Sequence, residues 1–483
     1  KIGQLRPGDT VCFRLMTLDE AETLRKEMEH YFQMVGNHQE RDTITVPELP
    51  KQRMDISSNY PLLAYEEKNR RFPITIRCCG DENLLIEYGG LELNVLYRFQ
   101  VHVLMQAIQE SGKIPFIDLT PGIRSLQIHI DPSRISVKEA CQYVLELDRT
   151  LPPLESIEVP SRIVRLPLSW DDPAVRLAIE RYQQNVRPDA PWCPSNLEFI
   201  RRVNGLESIE DVKHIVFSAN YLVLGLGDVY LGAPVAIPID PRHWLVTTKY
   251  NPARTWTPEN AVGIGGTYLC VYGMEGPGGY QLLGRTVQMW NKFRSTKNFE
   301  SGKPWLLRFF DQIQFYPVEA DELLRIREDF LRGRFEVETI ETTFRLKEYL
   351  DFLESIKDSA KRFRDRQQQA FSEERERWKK LGLVEYVQEH HTKPADHEVD
   401  LPDGAVAVRS SMQGSVWKVL VSSGQYVRKG DVLIIEESMK MECPQVSPCN
   451  GYIASVHVRS GEEVQAGQII VSIFEEDAEV PMA

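Results

Sequence analysis

A lysine between two methionines is the most conspicuous candidate for chemistry in this 483-residue chain. It lies in Glu436-Glu437-Ser438-Met439-Lys440-Met441-Glu442-Cys443-Pro444, directly after Val432-Leu433-Ile434-Ile435, an apolar run typical of a β-strand. A hairpin at this point would expose the amine of Lys440 at the tip of a rigid scaffold. A plain surface hairpin is the alternative, but exposed paired methionines with no core to fill are uncommon.

The elements that must position Lys440 form an internal repeat near the C-terminus. Gly414-Ser415-Val416-Trp417-Lys418-Val419 recurs 37 residues later as Gly451-Tyr452-Ile453-Ala454-Ser455-Val456, and Gly424 matches Gly461 at the same spacing. Both copies alternate apolar residues and end in an apolar strand. We therefore predict two similar four-strand halves, related by a pseudo-twofold axis, that form a flattened barrel.

Met439-Lys440-Met441 on such a repeat resembles the biotin carboxyl carrier domain of biotin-dependent carboxylases. The similar lipoyl domains usually carry an Asp before the lysine, so the methionines favour biotin. The resemblance implies that a biotin ligase attaches biotin covalently to Lys440, with Met439 and Met441 as the flanking cofactor-binding residues. Such a tether keeps a reactive carrier available to two active sites without release to water.

The middle of the chain resembles a second family. Gly263-Ile264-Gly265-Gly266-Thr267-Tyr268 and Gly276-Pro277-Gly278-Gly279-Tyr280-Gln281-Leu282-Leu283-Gly284-Arg285-Thr286 are similar to the signature of the KipI-like family, or allophanate hydrolase subunit one. Glu87-Tyr88-Gly89 and Pro121-Gly122-Ile123-Arg124-Ser125-Leu126 resemble that family's N-terminal lobe. The resemblance extends over residues 72–291 and implies an α/β lobe followed by a cyclophilin-like β-barrel.

The order of these segments resembles the C-terminal portion of the urea carboxylase family. The opening Arg6-Pro7-Gly8-Asp9 is similar to the end of the KipA-like partner family, and Thr247-Thr248-Lys249-Tyr250-Asn251-Pro252-Ala253-Arg254-Thr255-Trp256-Thr257 is closer to urea carboxylases than to free-standing KipI-like proteins. The segment Gly225-Leu226-Gly227-Asp228-Val229-Tyr230 departs from the free-standing pattern. This departure argues against a 5-oxoprolinase subunit or a kinase inhibitor.

The resemblance implies a biotin-dependent ligase that forms a C–N bond. The carboxyl group would pass from carboxybiotin on Lys440 to a nitrogen of urea and give allophanate. No Gly-rich phosphate loop is present, so ATP, bicarbonate and Mg are expected at a biotin carboxylase domain outside this chain. Expected partners are urea, a biotin ligase and the biotin carboxylase and KipA-like domains of the same polypeptide; an allophanate hydrolase is a further candidate.

Urea is neutral, planar and poorly nucleophilic, so a transfer site must hold it by short hydrogen bonds. Amide oxygens suit its NH₂ groups, and a cation or a backbone N–H would orient a carboxylate. We therefore predict a pocket formed by two loops and three further side chains, namely Asn251, Arg254, Gly278, Gly279, Tyr280, Gln281, Tyr272, Asp228 and Arg285. An ordinary barrel turn at the glycines and a structural ion pair at Arg285 are the alternatives.

The predicted fold class is multidomain α+β. An α/β lobe and a cyclophilin-like β-barrel would be followed by a long linker helix over Thr343 to Leu381. This helix would pack along a domain edge or act as a rigid spacer between domains, and the two roles are compatible. A C-terminal all-β biotinyl/lipoyl-type flattened barrel would complete the chain. The predicted segments are a KipA-like remnant (1–35), a linker (36–71), the lobe (72–160), the barrel (161–335), a helical linker (336–401) and the carrier (402–477).

Composition narrows the classes of function. Lys and Arg number 57 and Asp and Glu 70, so a net charge of −13 disfavours nucleic acid and anionic lipid as partners. The eight cysteines form no CxxC pair, which favours a reduced cytoplasmic compartment and predicts no metal site. No apolar run approaches the length of a membrane helix. The start Lys1-Ile2-Gly3-Gln4 is expected to lie inside a longer polypeptide.

Three alternative functions remain open at this stage. A guanidine-type carboxylase would need a carboxylate in the pocket to meet the cationic substrate, and Asn251 favours urea instead. A non-catalytic KipI-like regulator with an appended carrier would have no use for Lys440. An acyl-CoA or pyruvate carboxylase fragment would carry the same type of carrier but a different transferase.

Overall fold

The computed structural model describes residues 10–11, 16–36, 62–227, 232–292, 296–299, 302–383, 401–402, 404–411, 414–438, 441–465 and 467–476. These residues fall into two compact units. One consists of Lys1–Glu158 with Arg345–Tyr349, and the other of Val159–Phe344 with Leu350–Ala483. No helix in the described part of the chain combines the length and the apolar character that a membrane crossing requires.

The first unit is an α/β lobe built on an antiparallel sheet of order β1-β2-β3-β5-β4. Its elements are α1 (Leu18–Gly36), β1 (Leu62–Glu66), β2 (Ile74–Cys78), β3 (Asn83–Tyr88), α2 (Val95–Ser111), β4 (Phe116–Pro121), β5 (Ser125–Ile130) and α3 (Val137–Arg149). The alternating apolar residues of β2, β3 and β5 form the core with α2 and α3. Ser136 begins α3 with a capping box to Glu139.

The sequence predicts strands at 74–77, 84–88 and 126–130 and helices at 94–110 and 137–151, which correspond to β2, β3, β5, α2 and α3. It does not predict β1 and β4. Residues 62–66 fall inside the segment predicted as a linker, whereas the structure pairs them with β2. The reason is that the run reads LLAYE, in which apolar residues follow one another without the alternation that marks a half-buried strand.

The second unit contains the predicted β-barrel. Its first strands and helices are β6 (Glu158–Trp170), α4 (Pro173–Asn185), α5 (Asn196–Val203), α6 (Ile209–Ser218), β7 (Tyr221–Leu226), β8 (Pro234–Pro238), β9 (Arg254–Thr257), β10 (Ala261–Gly265), β11 (Tyr268–Val271), β12 (Gly276–Gly278), β13 (Gln281–Arg285) and β14 (Gln312–Val318). Seven of these strands follow the order β13-β10-β11-β8-β7-β14-β6, and a pairing between β13 and β6 closes the ring.

The closing pair depends on a glycine. Gly284 lies opposite Trp170 in the β13–β6 ladder, and a Cβ at position 284 would lie 2.1 Å from the backbone oxygen of Ser169. Only glycine allows the two backbones to approach this closely. The strands enclose an apolar core that includes Leu166, Val223 and Val262, which the alternating strand residues predict.

The predicted single helix over Thr343 to Leu381 is wrong. The barrel is followed by α7 (Ala320–Leu331), β15 (Glu338–Arg345), α8 (Leu346–Ser355) and α9 (Lys357–Lys380). The β-branched residues of ETIETTFR favour the strand, and the helical path is interrupted at Ile356. The structure shows the packed alternative for α9, because Gln367 donates to Asn204 Oδ1 at 2.7 Å and Trp378 stacks on Phe199.

The C-terminal part has the predicted two halves. Its strands are β16 (Ala405–Arg409), β17 (Gly414–Val419), β18 (Tyr426–Val427), β19 (Val432–Ser438), β20 (Met441–Val446), β21 (Gly451–Val456), β22 (Glu463–Val464) and β23 (Ile469–Glu475). They form two four-stranded sheets of order β16-β23-β21-β18 and β20-β19-β17-β22. Exchanging β17 with β21, β18 with β22, β19 with β23 and β20 with β16 converts one sheet into the other, as a pseudo-twofold axis requires.

Candidate functional site

Arg254 lies at the centre of the candidate pocket, on β9, and only 1% of it is exposed. Its Nη1 donates to the backbone oxygen of Tyr280 at 2.7 Å, and its Nε donates to Thr257 Oγ1 at 3.3 Å. The guanidinium carbon lies 4.2 Å from the centroid of the Tyr250 ring, which is a cation–π distance. Its Nη2 is buried and has no hydrogen-bond partner among the residues that the structure describes.

Gln281 begins β13 directly after Tyr280 and is fully buried. Its Nε2 donates to the backbone oxygen of Thr248 at 2.9 Å. Its Oε1 and the hydroxyl of Thr248 are buried without hydrogen-bond partners in the described part of the chain. An unpaired buried polar group costs about 1–3 kcal/mol. The unpaired buried atoms Gln281 Oε1, Thr248 Oγ1 and Arg254 Nη2 therefore indicate a place for a polar ligand or ordered water.

The predicted glycine turn forms one wall of this region. Gly278 pairs with Arg254 between β12 and β9, and a Cβ at position 278 would lie 2.6 Å from both Tyr272 Oη and Thr257 Oγ1. The backbone N–H of Tyr280 donates to Tyr272 Oη at 3.3 Å. The structure thus brings five predicted residues together, namely Arg254, Tyr272, Gly278, Tyr280 and Gln281.

Gly279 belongs to the same wall. Its backbone oxygen accepts from the N–H of Tyr250 at 2.7 Å, which ties the glycine turn to the first loop. A Cβ at position 279 would meet its nearest described neighbour, Lys249 Cβ, at 3.6 Å, an ordinary contact distance. Among the described residues there is therefore room for a side chain at position 279 but not at position 278.

Asn196 holds the two walls together, and the sequence analysis does not identify it. This buried residue accepts at Oδ1 from the hydroxyl of Tyr250 at 2.9 Å and from the backbone N–H of Leu282 at 2.8 Å. It follows Ser195, the N-cap of α5, so its local sequence indicates only a helix start. Its partners are 54 and 86 residues away, and no local pattern could have revealed them.

The titratable neighbours of Arg254 stay protonated at neutral pH. Burial raises the pKa of Tyr250 to about 12, although the charge of Arg254 acts in the opposite direction. Burial likewise raises the pKa of the Cys193 thiol to about 12, again against the effect of Arg254. Neither group is a base at neutral pH, so these residues can orient a ligand but cannot deprotonate it.

Two other predicted residues, Asn251 and Arg285, are placed differently. The side chain of Asn251 is exposed, and its backbone oxygen accepts from Arg187 Nη1 at 2.8 Å. Arg285 lies at the far end of β13, about 13 Å along the strand from Gln281, and its Nε donates to the backbone oxygen of Glu259 at 2.9 Å. The structure does not bring Arg285 into the cluster around Arg254. Asp228 lies outside the described residues.

The hairpin that would carry a prosthetic group is described on both sides of its tip. Ser438 in β19 pairs with Met441 in β20, so Met439 and Lys440 are the two connecting residues of the chain. Met439, Lys440 and the side chain of Met441 lie outside the described residues. A lysine on a two-residue connection between paired strands fits a residue that must carry biotin outside the domain core.

A buried carboxyl group lies below this hairpin. Glu436 is fully buried, and its Oε2 accepts from Ser410 Oγ at 2.9 Å and from Gln445 Nε2 at 2.8 Å. Burial raises the pKa of Glu436, and the two hydrogen bonds act in the opposite direction. Its Oε1 has no hydrogen-bond partner in the described structure.

Comparison with known proteins identifies both parts of the chain. Residues 74–299 match the family described as carboxyltransferase domain, subdomain C and D, and residues 397–473 match the family described as biotin-requiring enzyme. Urea amidolyase of Saccharomyces cerevisiae is 35% identical over 98% of this chain. The crystal structure of the Kluyveromyces lactis urea carboxylase superimposes over 98% of the chain with a TM-score of 0.79 and 32% identity.

The resemblance to the urea carboxylase family is confirmed. A putative urea carboxylase of Emericella nidulans is also similar, at 28% identity over 98% of the chain. The chain spans 25% of the length of the S. cerevisiae relative and 40% of the K. lactis and E. nidulans proteins. The chain therefore corresponds to one part of these longer proteins, and this part matches the carboxyltransferase-domain and biotin-requiring-enzyme families.

The family matches separate the two halves of the candidate site. Arg254 and Gln281 lie inside the carboxyltransferase match, and Lys440 lies inside the biotin-requiring match. The predicted biotin dependence is thus confirmed for the C-terminal domain, whereas the roles of the individual residues stay predictions. The Arg6-Pro7-Gly8-Asp9 segment, assigned to a KipA-like tail, lies outside the described residues.

Proposed function

We propose that this chain is the carboxyltransferase and biotin-carrier part of a urea carboxylase that converts urea to allophanate. The names of the similar proteins and the two family matches support the class of reaction. The observation that carries the substrate is the pair of buried, unpaired atoms on Arg254 and Gln281. One is a cationic donor and the other is a neutral acceptor.

This donor and acceptor match urea. Nη2 of Arg254 would donate to the urea carbonyl oxygen or to an incoming carboxyl group, and Oε1 of Gln281 would accept from a urea NH₂ group. Biotin bound at Lys440 supplies the carboxyl group. Because Tyr250 remains a neutral phenol, it does not compete as an anion with the ligand, and its ring lies against the guanidinium of Arg254.

A guanidine substrate fits this pocket less well. Guanidinium is a cation with no acceptor oxygen, so it calls for a carboxylate in the pocket. Within the described structure, Arg254 and Gln281 donate hydrogen bonds to backbone oxygens and to the hydroxyl of Thr257. A buried arginine would repel guanidinium at this position. Urea is therefore the favoured substrate.

The remaining parts of the proposal concern the longer protein. We propose that a biotin ligase modifies Lys440, that biotin carboxylase and KipA-like domains belong to the same polypeptide, and that ATP, bicarbonate and Mg act at the former. We further propose a cytoplasmic location, an allophanate hydrolase as the downstream partner, and the domain limits predicted from the sequence, except that the lobe begins at Leu62 with β1. The likeness to multidomain urea amidolyases supports these statements.

The first test is the attachment of biotin. The chain is produced together with an active biotin ligase, and intact-mass and peptide analysis locate any added biotinyl group, with Lys440→Ala as the matched control. One biotinyl group at Lys440 is expected. An unmodified Lys440 in the folded protein would refute the carrier assignment.

The second test concerns the pocket. Arg254→Met removes the cationic donor, and we expect a fall in urea-dependent turnover of about 10²–10³, with biotin attachment unchanged. Arg285→Met is the matched control, because Arg285 lies outside the cluster and is expected to keep most of the activity. Equal losses in both variants, at equal thermal stability, would remove Arg254 from the site.

A further inference from the structure

One residue breaks the pseudo-symmetry of the carrier. Trp417 in β17 occupies the position that Ala454 has in β21, 37 residues later in the repeat. The ladder slips by one residue between Val416 and Lys418, and it slips at the same place between Ile453 and Ser455. Both halves therefore contain a β-bulge at this position, and a bulge turns its side chain away from the regular pleat. The scaffold is the same, but only one half presents an indole there.

The indole of Trp417 contacts the transferase part of the same compact unit. The guanidinium of Arg181, on α4, lies 4.7 Å from the Trp417 ring and 4.9 Å from the ring of Trp256. Arg181 is thus held between one aromatic ring of the carrier and one of the barrel. Trp417 is 2% exposed although it lies on a bulge, so α4 covers it.

A glycine of the second copy makes another contact with α4, because it lies on the turn that leads into β22, the strand paired with β17. Gly461 has φ +87°, and a Cβ there would lie 2.7 Å from the backbone oxygen of Gln184. Its counterpart in the repeat is Gly424, with φ +82° and no described atom within 4 Å of the corresponding Cβ. The two equivalent turns thus have the same left-handed backbone conformation, which would be equally strained in any residue other than glycine. Only the turn at Gly461 touches the transferase.

The contact between Trp417 and Arg181 is close to both parts of the candidate site, namely the strand that carries Arg254 and the hairpin that carries Lys440. Trp256 belongs to β9, the strand that also carries Arg254. Trp417 lies on β17, which pairs with β19 as far as Glu437, one residue before the Ser438–Met441 pair that ends the hairpin. Docking through Trp417 therefore presents the lysine-bearing end of the carrier on the side of the barrel that holds Arg254.

We propose that Trp417 is a positioning residue that selects which face of the pseudo-symmetric carrier docks on the transferase. Only the sheet that contains β19 and β20 leads into the Lys440 hairpin. Docking through the other sheet, which contains β21, would present the end of the carrier opposite to this hairpin. The indole of Trp417 and the bare backbone at Gly461 lie on the sheet that contains β17 and β22 and fit against α4, whereas the sheet that contains β18 and β21 lacks the indole. The proposal rests on the proposed function, because it concerns the step in which the carrier meets the transferase pocket.

The test uses the full-length biotinylated protein and the variant Trp417→Ala. This substitution gives the first half the residue that the second half already has at Ala454, so the fold tolerates it. We expect faster hydrogen exchange in α4 and a kcat for urea about tenfold lower, with an unchanged KM for urea and unchanged carboxylation of biotin at the ATP-dependent site. Trp417→Phe, which keeps an aromatic ring, should restore most of both readouts.

A matched glycine pair provides the second arm. Gly461→Ala should act like Trp417→Ala, and Gly424→Ala, with the same strain but no contact, should leave exchange in α4 and turnover unchanged. Unchanged exchange in α4 for Trp417→Ala, or unchanged kcat despite faster exchange, would overturn the proposal. If the wild-type protein does not turn over urea, the substrate assignment fails, and exchange in α4 still decides the docking contact.

Discussion

Replacing Gln281 by methionine separates a catalytic role from a structural one. The side chain is fully buried, makes one described hydrogen bond to the backbone oxygen of Thr248, and leaves Oε1 unpaired. Methionine has a similar length and no polar group of comparable strength. Gln281→Met therefore removes one hydrogen bond and one unsatisfied acceptor together.

The two effects on stability nearly cancel. Loss of the neutral hydrogen bond costs about 0.5–1.5 kcal/mol, and the freed oxygen of Thr248 adds to this cost. Removal of the unpaired Oε1 recovers about 1–3 kcal/mol, and the methionine packs as an apolar side chain. We expect a change in unfolding free energy within about 1 kcal/mol of zero. In contrast, loss of the acceptor for a urea NH₂ group should reduce kcat/KM for urea by about 10²-fold, since about 1.4 kcal/mol corresponds to a factor of ten.

The assay measures urea-dependent turnover of the full-length protein beside calorimetric unfolding. Gln281→Leu provides a second apolar variant, so that agreement between the two excludes an effect of the methionine itself. Retained stability with a large loss of turnover is expected for both. A fall in stability of several kcal/mol with near-normal turnover per folded molecule would show that Gln281 is a structural residue and would refute the reasoning.

Three further predictions concern closure of the barrel and two carboxyl groups. Gly284→Ala should prevent the β13–β6 pairing, because its Cβ would lie 2.1 Å from the backbone oxygen of Ser169, and circular dichroism should show a loss of folded protein; a stable, folded variant would contradict this. Burial acts to raise the pKa of Glu374, but hydrogen bonds from Arg377 and Trp378 and the charge of Arg202 lower it to about 2. The ionised Glu374 therefore adds to the free energy of unfolding above its ordinary pKa of 4.5, and this contribution is lost as pH falls towards 2. Glu374→Gln should lower the free energy of unfolding by about 2 kcal/mol at neutral pH and by almost nothing at pH 2. The same loss at all pH values would exclude the ion pair as the cause. Burial raises the pKa of Glu436, so its folded form binds a proton more tightly and stability falls as pH rises above 4.5. Glu436→Gln should therefore raise the melting temperature of the carrier at neutral pH and not at acidic pH, and the reverse dependence would contradict the assignment.

Local patterns predict those parts of the fold whose residues carry a strong periodic signal. The carrier repeat is predicted because its glycines and apolar strands recur at a constant spacing of 37 residues. The strands β2, β3 and β5 of the lobe are predicted because their apolar residues alternate along the chain, and the structure buries every second residue. In contrast, the last three residues of β15 fall inside the run predicted as a helix from Thr343, and the β-branched residues of the strand favour the extended form.

The candidate site is only partly predictable, because its contacts are long-range. Arg254 and Gln281 are identified by residue type, but the atoms they leave unpaired are visible only in the folded chain. Asn196 is missed because its partners are distant in sequence, and Arg285 is placed elsewhere because strand β13 extends away from the pocket. The importance of Trp417 likewise depends on α4, which no pattern within the repeat could reveal.

The most direct measurement of the central claim is the discharge of a loaded carrier. The full-length protein is incubated with ATP and ¹⁴C-bicarbonate, separated from both, and then mixed with urea, with Lys440→Ala as a control that should not take up label. The account predicts that label leaves the wild-type protein in a urea-dependent step and appears in allophanate. Label that is released at the same rate with and without urea, and only as bicarbonate, would contradict the account.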